Sequence, residues 1–417
     1  MLQITPALEA ARAEAREADL ATLDMSRPER FVNSTHWPFF DRMRAEDPVH
    51  YCPDSEFGPY WSITRWADIM KVETNHRVFS SQPTIFIGNP PDDFQPQSFI
   101  TSDEPRHSKW RKPVMPGVGP HRLEDIEALI RSHAIEILDG LPRNEDFNWV
   151  EHVSIELTTR MLATLFDFPF EERHLLPYWS DVITATPLAG AAKMEEEERR
   201  DIMRDFVGRF SQMFMERQAA EPRFDFISLM AHHDDTRDLV KDPFTMMGNL
   251  SLLIVGGNDT TRNSISGGLL ALNQFPEQYD KLRADPSVIP NMVKEIVRYQ
   301  TPLSYMRRTA LEDCEVGGKM IRKGDKVVMW YISANRDEEK FDNAYDFDIE
   351  RANAKSHMSF GFGIHRCMGN HVAEMQLRIL WEEILNRFDK IEVVGEPKRS
   401  HSNFVMGIED LPVRIAA

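Results

Sequence analysis

A chain of 417 residues with 67 acidic and 49 basic side chains carries a net charge of −18, and no basic stretch interleaved with aromatics offsets it, which argues against nucleic acid as a partner. Hydrophobic residues make up 41% and charged residues 28%. That composition excludes disorder as the default state and supplies enough apolar matter to enclose a buried cofactor.

The first 24 residues form an Ala/Glu/Arg-rich helical pattern with no apolar core segment, so neither a signal peptide nor a membrane anchor is expected. A short strand is predicted near Tyr60–Ile63. Residues 81–100 are rich in Pro, Gly, Asn and Gln yet hold Ile85, Phe86, Ile87, Phe94 and Phe99; so many large apolar groups suit a loop lying over a pocket better than a linker. Apolar residues at three and four spacing predict helices over 123–141, 154–165, 245–273 and 292–297. A β-rich insertion is predicted at 314–332, where Gly317-Gly318 and Gly324-Asp325 separate short runs, and a further strand at 411–415. The expected class is therefore mainly α with a smaller β-rich part. The apolar runs at 250–255 and 327–332 are too short to span a bilayer. Length alone would suggest roughly two or three domains, but neither repeat nor linker interrupts the chain, so residues 1–417 read as one domain. Three widely spaced cysteines, Cys52, Cys314 and Cys367, suit a reducing compartment, and a cytoplasmic location is expected.

The segment richest in chemistry is Phe360-Gly361-Phe362-Gly363-Ile364-His365-Arg366-Cys367-Met368-Gly369, followed by an amphipathic helix pattern. A cysteine just before a helix meets unpaired backbone N–H groups and the positive end of the dipole, which favour a thiolate able to bind a metal. The glycines let backbone pass close to a flat ligand, and Phe360 shields the sulfur from water. A lone cysteine is more often a small buried apolar residue. Two other site readings are weaker: Gly361 and Gly363 lack the third glycine and preceding strand of a dinucleotide loop, and His365 with Cys367 lacks the second ligand pair of a zinc site. Further along the argument, Gly256-Gly257-Asn258-Asp259-Thr260-Thr261 interrupts an apolar helix, where low propensity asks for a packing or functional reason. Glu295 and Arg298 form an i, i+3 pair that is common on solvated helices.

The ten-residue segment resembles the haem loop of the cytochrome P450 family at every fixed position, and the chain is identified on it as a resembling member, with haem between the central helix and the cysteine-loop helix. The resemblance implies haem b (iron protoporphyrin IX) with Cys367 as axial iron ligand and with Phe360 and Gly369 in the loop that holds it. It also implies that His107, Arg111, Arg308 and His365 are partners of the haem propionates. Gly256 would mark a notch for dioxygen, with Asp259 and Thr260 the acid–alcohol pair that delivers protons. Glu295 and Arg298, joined by Arg351, would support the haem loop structurally. Departures are modest: Asp337-Glu338 replaces the family's usual Asp-Pro, Ala373-Glu374-Met375-Gln376 replaces Ala-Arg-x-Glu, and Gly256 replaces the commoner alanine.

An axial thiolate donates electron density to iron and favours O–O cleavage, so the implied activity is insertion of one atom of dioxygen into a C–H bond of a hydrophobic molecule. Electrons would come from a separate 2Fe-2S ferredoxin and its NAD(P)H-dependent reductase, docking where Arg106, Lys109, Arg111, Lys112 and Arg366 gather on an otherwise acidic protein. The wording of 248–264, 301–308 and 328–331 is similar to bacterial terminal alkane and fatty-acid hydroxylases. By family position Ile87, Leu188, Leu252, Gly256, Leu303 and Val405 are the expected substrate walls. A terpene hydroxylase is the alternative within enzymes. A haem-thiolate sensor without turnover is the alternative outside them, although a sensor has no use for Asp259 and Thr260.

Overall fold

The computed structural model describes residues 5–91, 95–191 and 194–416. The expected amino-terminal helix runs over Pro6–Glu17, capped by Thr5, whose side chain accepts from the Leu8 amide; Met1 to Ile4 and Phe94, which those sequence expectations also covered, lie outside the described residues. The fold is mainly helical, with smaller sheets. Its axis is a helix over Pro243–Gln274, entered through Asp242, whose side chain accepts from the Thr245 amide, with proline at the first turn. Small residues let neighbours approach this helix closely: a Cβ on Gly257 would lie 2.7 Å from Leu162 Cδ2, and one on Gly268 would lie 2.8 Å from Ile296 Cδ1. Helices Glu156–Phe166, Leu175–Thr184 and Ile289–Gln300 accordingly pack along it. Among the described residues no helix is long and apolar enough to cross a membrane.

A five-stranded sheet forms the second apolar cluster, in the order Val49–Cys52, Tyr60–Ile63, Lys326–Met329, Met306–Ala310, Phe79–Ser80. The predicted strand at Tyr60–Ile63 pairs in parallel with Lys326–Met329, Trp61 facing Val327. The 314–332 insertion is strand only as far as Met329. Beyond it the Trp330 amide donates to Ile63 O, its fully buried indole donates to Ser62 Oγ at 3.0 Å, and the chain turns into the helical turn Tyr331–Ala334. At the carboxyl end Pro412–Ile415 is a strand, flanked antiparallel by Asp146–Asn148 and Ile391–Val393.

Candidate active site

The Cys367 loop is shaped by its glycines. Gly361 and Gly363 adopt φ of +62° and +68°, a region other residues avoid, and a Cβ on Gly363 would stand 2.8 Å from Glu73 O. The turn closes when the Cys367 amide donates to Phe360 O at 2.8 Å, and helix Asn370–Arg387 starts three residues later. Burial pushes the Cys367 thiol up; the Gly369 and Asn370 backbone amides and the guanidiniums of Arg111 and Arg366 pull the other way, toward the thiolate.

The loop is bolted from behind. Met358 N donates to Asn335 Oδ1 at 2.7 Å, and Ser359 Oγ donates to Val297 O at 2.8 Å on helix Ile289–Gln300. On that helix Glu295 accepts from Arg298 Nε and Nη2, both at 2.7 Å, and from Arg351 Nε at 3.1 Å, all three residues buried. The guanidiniums spend their remaining donors on carbonyls: Arg298 on Asn335 O and Ala344 O, Arg351 on Asp342 O and Asn343 O. The apolar pattern predicted this helix, the family resemblance implied that Arg351 joins the pair, and the fold shows the two arginines converging on one carboxylate.

Cys367 lines a cavity of about 600 Å³. Arg111, Arg308, Phe360, Gly361, His365, Met368 and Gly369 share its wall at one end, and Gly256 and Thr260 of the central helix stand in it too. Arg111 Nη2 reaches Arg366 O at 2.5 Å, which ties helix Arg106–Arg111 to the cysteine loop. His107 and His365 meet edge to face, ring centroids 4.5 Å apart. His107 Nδ1 faces Glu104 and His365 Nε2 faces Ser81 Oγ, while His107 Nε2 and His365 Nδ1 are buried with no partner among the described residues. Burial, with Arg308, His107 and Arg111 adding to it, drives the His365 imidazole down to about 2. Orphaned imidazole nitrogens and desolvated guanidiniums around an apolar space suit a flat apolar group with an anionic edge. A Cβ on Gly256 or Gly369 would meet nothing within 4 Å, so a planar group has room at both faces. The residues present fit a haem.

Thr260 Oγ1 donates to Gly256 O at 2.8 Å inside the central helix. Asp259 points away from the cavity: it accepts from Ser180 Oγ at 3.2 Å and Asn258 Nδ2 at 3.0 Å, and Arg262 Nη2 lies 3.0 Å from both Asp259 and Asp181. Burial raises the Asp259 carboxyl and Arg262 opposes that rise. Asp259 Oδ2 has no partner among the described residues.

Of the expected substrate walls, Leu188, Leu252, Gly256 and Leu303 line the cavity. Ile87 and Val405 do not, and this corrects the sequence expectation. Their neighbours Phe86 and Phe404 face the cavity, packed edge to face at 4.8 Å, while Ile87 and Val405 are held behind them in the sheet-side core, the Ile87 amide donating to the Tyr305 hydroxyl at 3.1 Å and Val405 forming an antiparallel bridge with Leu303. The 81–100 segment is held to Leu188 by a bond from Gly88 N to Leu188 O at 2.9 Å. Glu73 and Tyr331 also line the cavity; no sequence signal marked them, because each is a single residue in an ordinary apolar pattern.

A thiol in an apolar cavity, with donors gathered at its edge and a mainly helical frame around it, suits a cofactor-dependent oxidoreductase of the haem-thiolate class. Comparison with known proteins agrees. The family description "Cytochrome P450" matches residues 173–413. Linalool 8-monooxygenase of Pseudomonas putida is 34% identical over 404 residues, covering 94% of this chain and 98% of that protein. Methyl-branched lipid omega-hydroxylase of Mycobacterium bovis is 30% identical, covering 90% of each. The solved structure of cytochrome P450-153 from Novosphingobium aromaticivorans superposes with a TM-score of 0.88 at 43% identity, covering 94% of this chain and 99% of that one. The chain belongs to the cytochrome P450 family. It is a monooxygenase whose family implies a haem cofactor, dioxygen, a redox partner and a hydrophobic substrate.

Proposed function

We propose that this monooxygenase hydroxylates the terminal carbon of medium-chain alkanes or fatty acids, using haem b, whose iron Cys367 would hold, within one domain of residues 1–417. The observation that carries the reading is the apolar cavity, in which Leu188, Leu252, Leu303, Phe86 and Phe404 surround the approach to Gly256 and Thr260. A terminal methyl is the hardest C–H bond on a chain to select, since inner methylenes are weaker and more numerous; selection needs walls that admit one chain end. When bound, the cofactor supplies oxygen activation, promoted by an electron-donating thiolate.

The chain's own residues supply the rest. His107, Arg111, Arg308 and His365 bind the anionic edge, and the apolar walls exclude water and align the substrate. Thr260, on the cavity wall, and Asp259, on the solvent side of the same helix turn, are the alcohol and the acid of proton delivery. Arg262 joins Asp259 to Asp181, which is 57% exposed and so reaches bulk solvent. Electrons arrive from a 2Fe-2S ferredoxin, itself reduced by an NAD(P)H-dependent reductase, at the face carrying Arg111 and Arg366. The similarity to a lipid omega-hydroxylase supports the terminal site. Similarity to a linalool monooxygenase supports a second reading, hydroxylation of a terpene. Turnover of a medium-length n-alkane with a surrogate ferredoxin, its reductase, NADH and oxygen decides between them. A primary alcohol is expected; inner-chain alcohols, or no product while linalool is hydroxylated, would move the substrate to the terpene class.

A further inference from the structure

Glu73 sits in the last turn of helix Trp66–Thr74, where the helix dipole disfavours a negative charge. Its side chain is 1% exposed, and burying a carboxylate is costly unless donors surround it. They do. Arg308 Nη2 donates to Glu73 Oε1 at 3.0 Å and the Tyr331 hydroxyl donates to Oε2. The Phe362 amide, in the cysteine loop, adds a further favourable interaction. These partners belong to three separate elements: strand Met306–Ala310, the helical turn Tyr331–Ala334 and the loop that carries Cys367. Burial raises the carboxyl, and Arg308 and then Tyr331 bring it back toward the ionised form. Arg308 and the amide have nothing but donors to offer, so the pattern suits the carboxylate and not the acid.

Arg308 is thereby fixed before any cofactor carboxylate reaches it. Its Nη1 is held on Arg307 O at 2.9 Å and its Nη2 on Glu73. One guanidinium placed between Glu73 and a second carboxylate neutralises only one of them, and the surplus negative charge stays on a buried part of the cavity wall. In surroundings of low dielectric such a charge acts over several ångströms. It favours the more positive, oxidised state of a redox centre in the same cavity.

We propose that Glu73 is a positioning residue for the cofactor: it fixes Arg308 against the anionic edge and, by its own charge, holds the reduction potential of the bound group low. The proposal rests on the reading of Arg308 as a propionate partner. It is tested on purified holoprotein carrying Glu73→Gln or Arg308→Gln. Two quantities are measured, the ferric/ferrous midpoint by spectroelectrochemical titration and the rate of haem transfer to an excess of a haem-scavenging apoprotein. Glu73→Gln should move the midpoint to more positive values while the reduced carbon monoxide complex keeps its thiolate-type Soret band. Arg308→Gln should speed haem loss by about tenfold or more, the effect of one lost charge-assisted hydrogen bond. An unchanged midpoint in Glu73→Gln, with haem loss accelerated in Arg308→Gln, overturns the proposal and leaves the reading of Arg308 standing. Unaltered haem loss in Arg308→Gln removes that reading and the proposal with it. Should Glu73→Gln fail to fold, Tyr331→Phe carries the test: it removes a donor that offsets the carboxylate's charge and leaves the charge itself in place, so the midpoint should move to more negative values, and no shift overturns the proposal.

Discussion

Replacing Glu295 by Gln probes the support of the cysteine loop most directly. The substitution keeps the shape of the side chain and removes its charge. Arg298 and Arg351, which approach the carboxylate at 2.7 Å and 3.1 Å, are left as buried cations facing an amide. The new NH₂ group meets donors only, among them the Asp348 amide that now bonds Glu295 Oε1 at 3.0 Å. Breaking a buried pair from one side costs about 3–5 kcal/mol, set against a total stability of about 5–15 kcal/mol. A loss of that size lowers the folded-to-unfolded ratio by roughly two to four orders of magnitude. Urea unfolding of the holoprotein, followed by tryptophan fluorescence and by the Soret band, measures it, with Arg414→Gln at the half-exposed Arg414–Asp146 pair as the control expected to leave the midpoint in place. An unfolding free energy for Glu295→Gln within about 1 kcal/mol of wild type, the range of a surface pair, would refute the reasoning.

Thr260→Ala should leave NADH consumption near wild type and reduce product formed per NADH; coupling that stays unchanged would remove Thr260 from proton delivery. Gly248→Ala places a Cβ 2.2 Å from Gln97 O, a backbone atom that cannot step aside, so the loop over the pocket must move; faster hydrogen exchange over 95–101 is expected, and unchanged exchange would show that the loop has slack. His36 is buried against Phe31 and Trp37 and its imidazole is driven down to about 3 by burial, from an ordinary 6.5. Its folded form refuses the proton that the unfolded chain takes up below pH 6.5, so stability is lost as pH falls from 6.5 toward 3, about 2 kcal/mol by pH 5 from this residue. His36→Gln should flatten that slope whatever it does to stability at neutral pH, and an equally steep acid limb in the variant would contradict the assignment.

Local pattern was enough for much of the frame. Helix periodicity located the central helix, the helix of Glu295 and the helix after Cys367 to within a few residues, since a one-sided apolar stripe is a property of neighbouring residues. Strand Met306–Ala310 was not marked by its own pattern, because Arg307 and Arg308 interrupt the apolar alternation and are buried only through partners elsewhere in the chain. The pocket walls divide in the same way. Leu188, Leu252, Gly256 and Leu303 face the cavity as family position suggested, whereas Ile87 and Val405 gave way to Phe86 and Phe404, because irregular chain at these two places has no period from which the facing side could be read.

What the sequence by itself determined is the set of local features: a mainly helical chain, a cysteine at a helix start within a glycine-shaped loop, and the family that this loop identifies. These depend on residues within one or two turns of one another. The tertiary structure alone decided which other distant groups meet: His107 against His365, Arg262 between Asp259 and Asp181, and Glu73 beneath Arg308 and Tyr331. Such meetings are set by how the central helix and the sheet pack, and a buried charge reveals its partner only once that packing has removed the water around it.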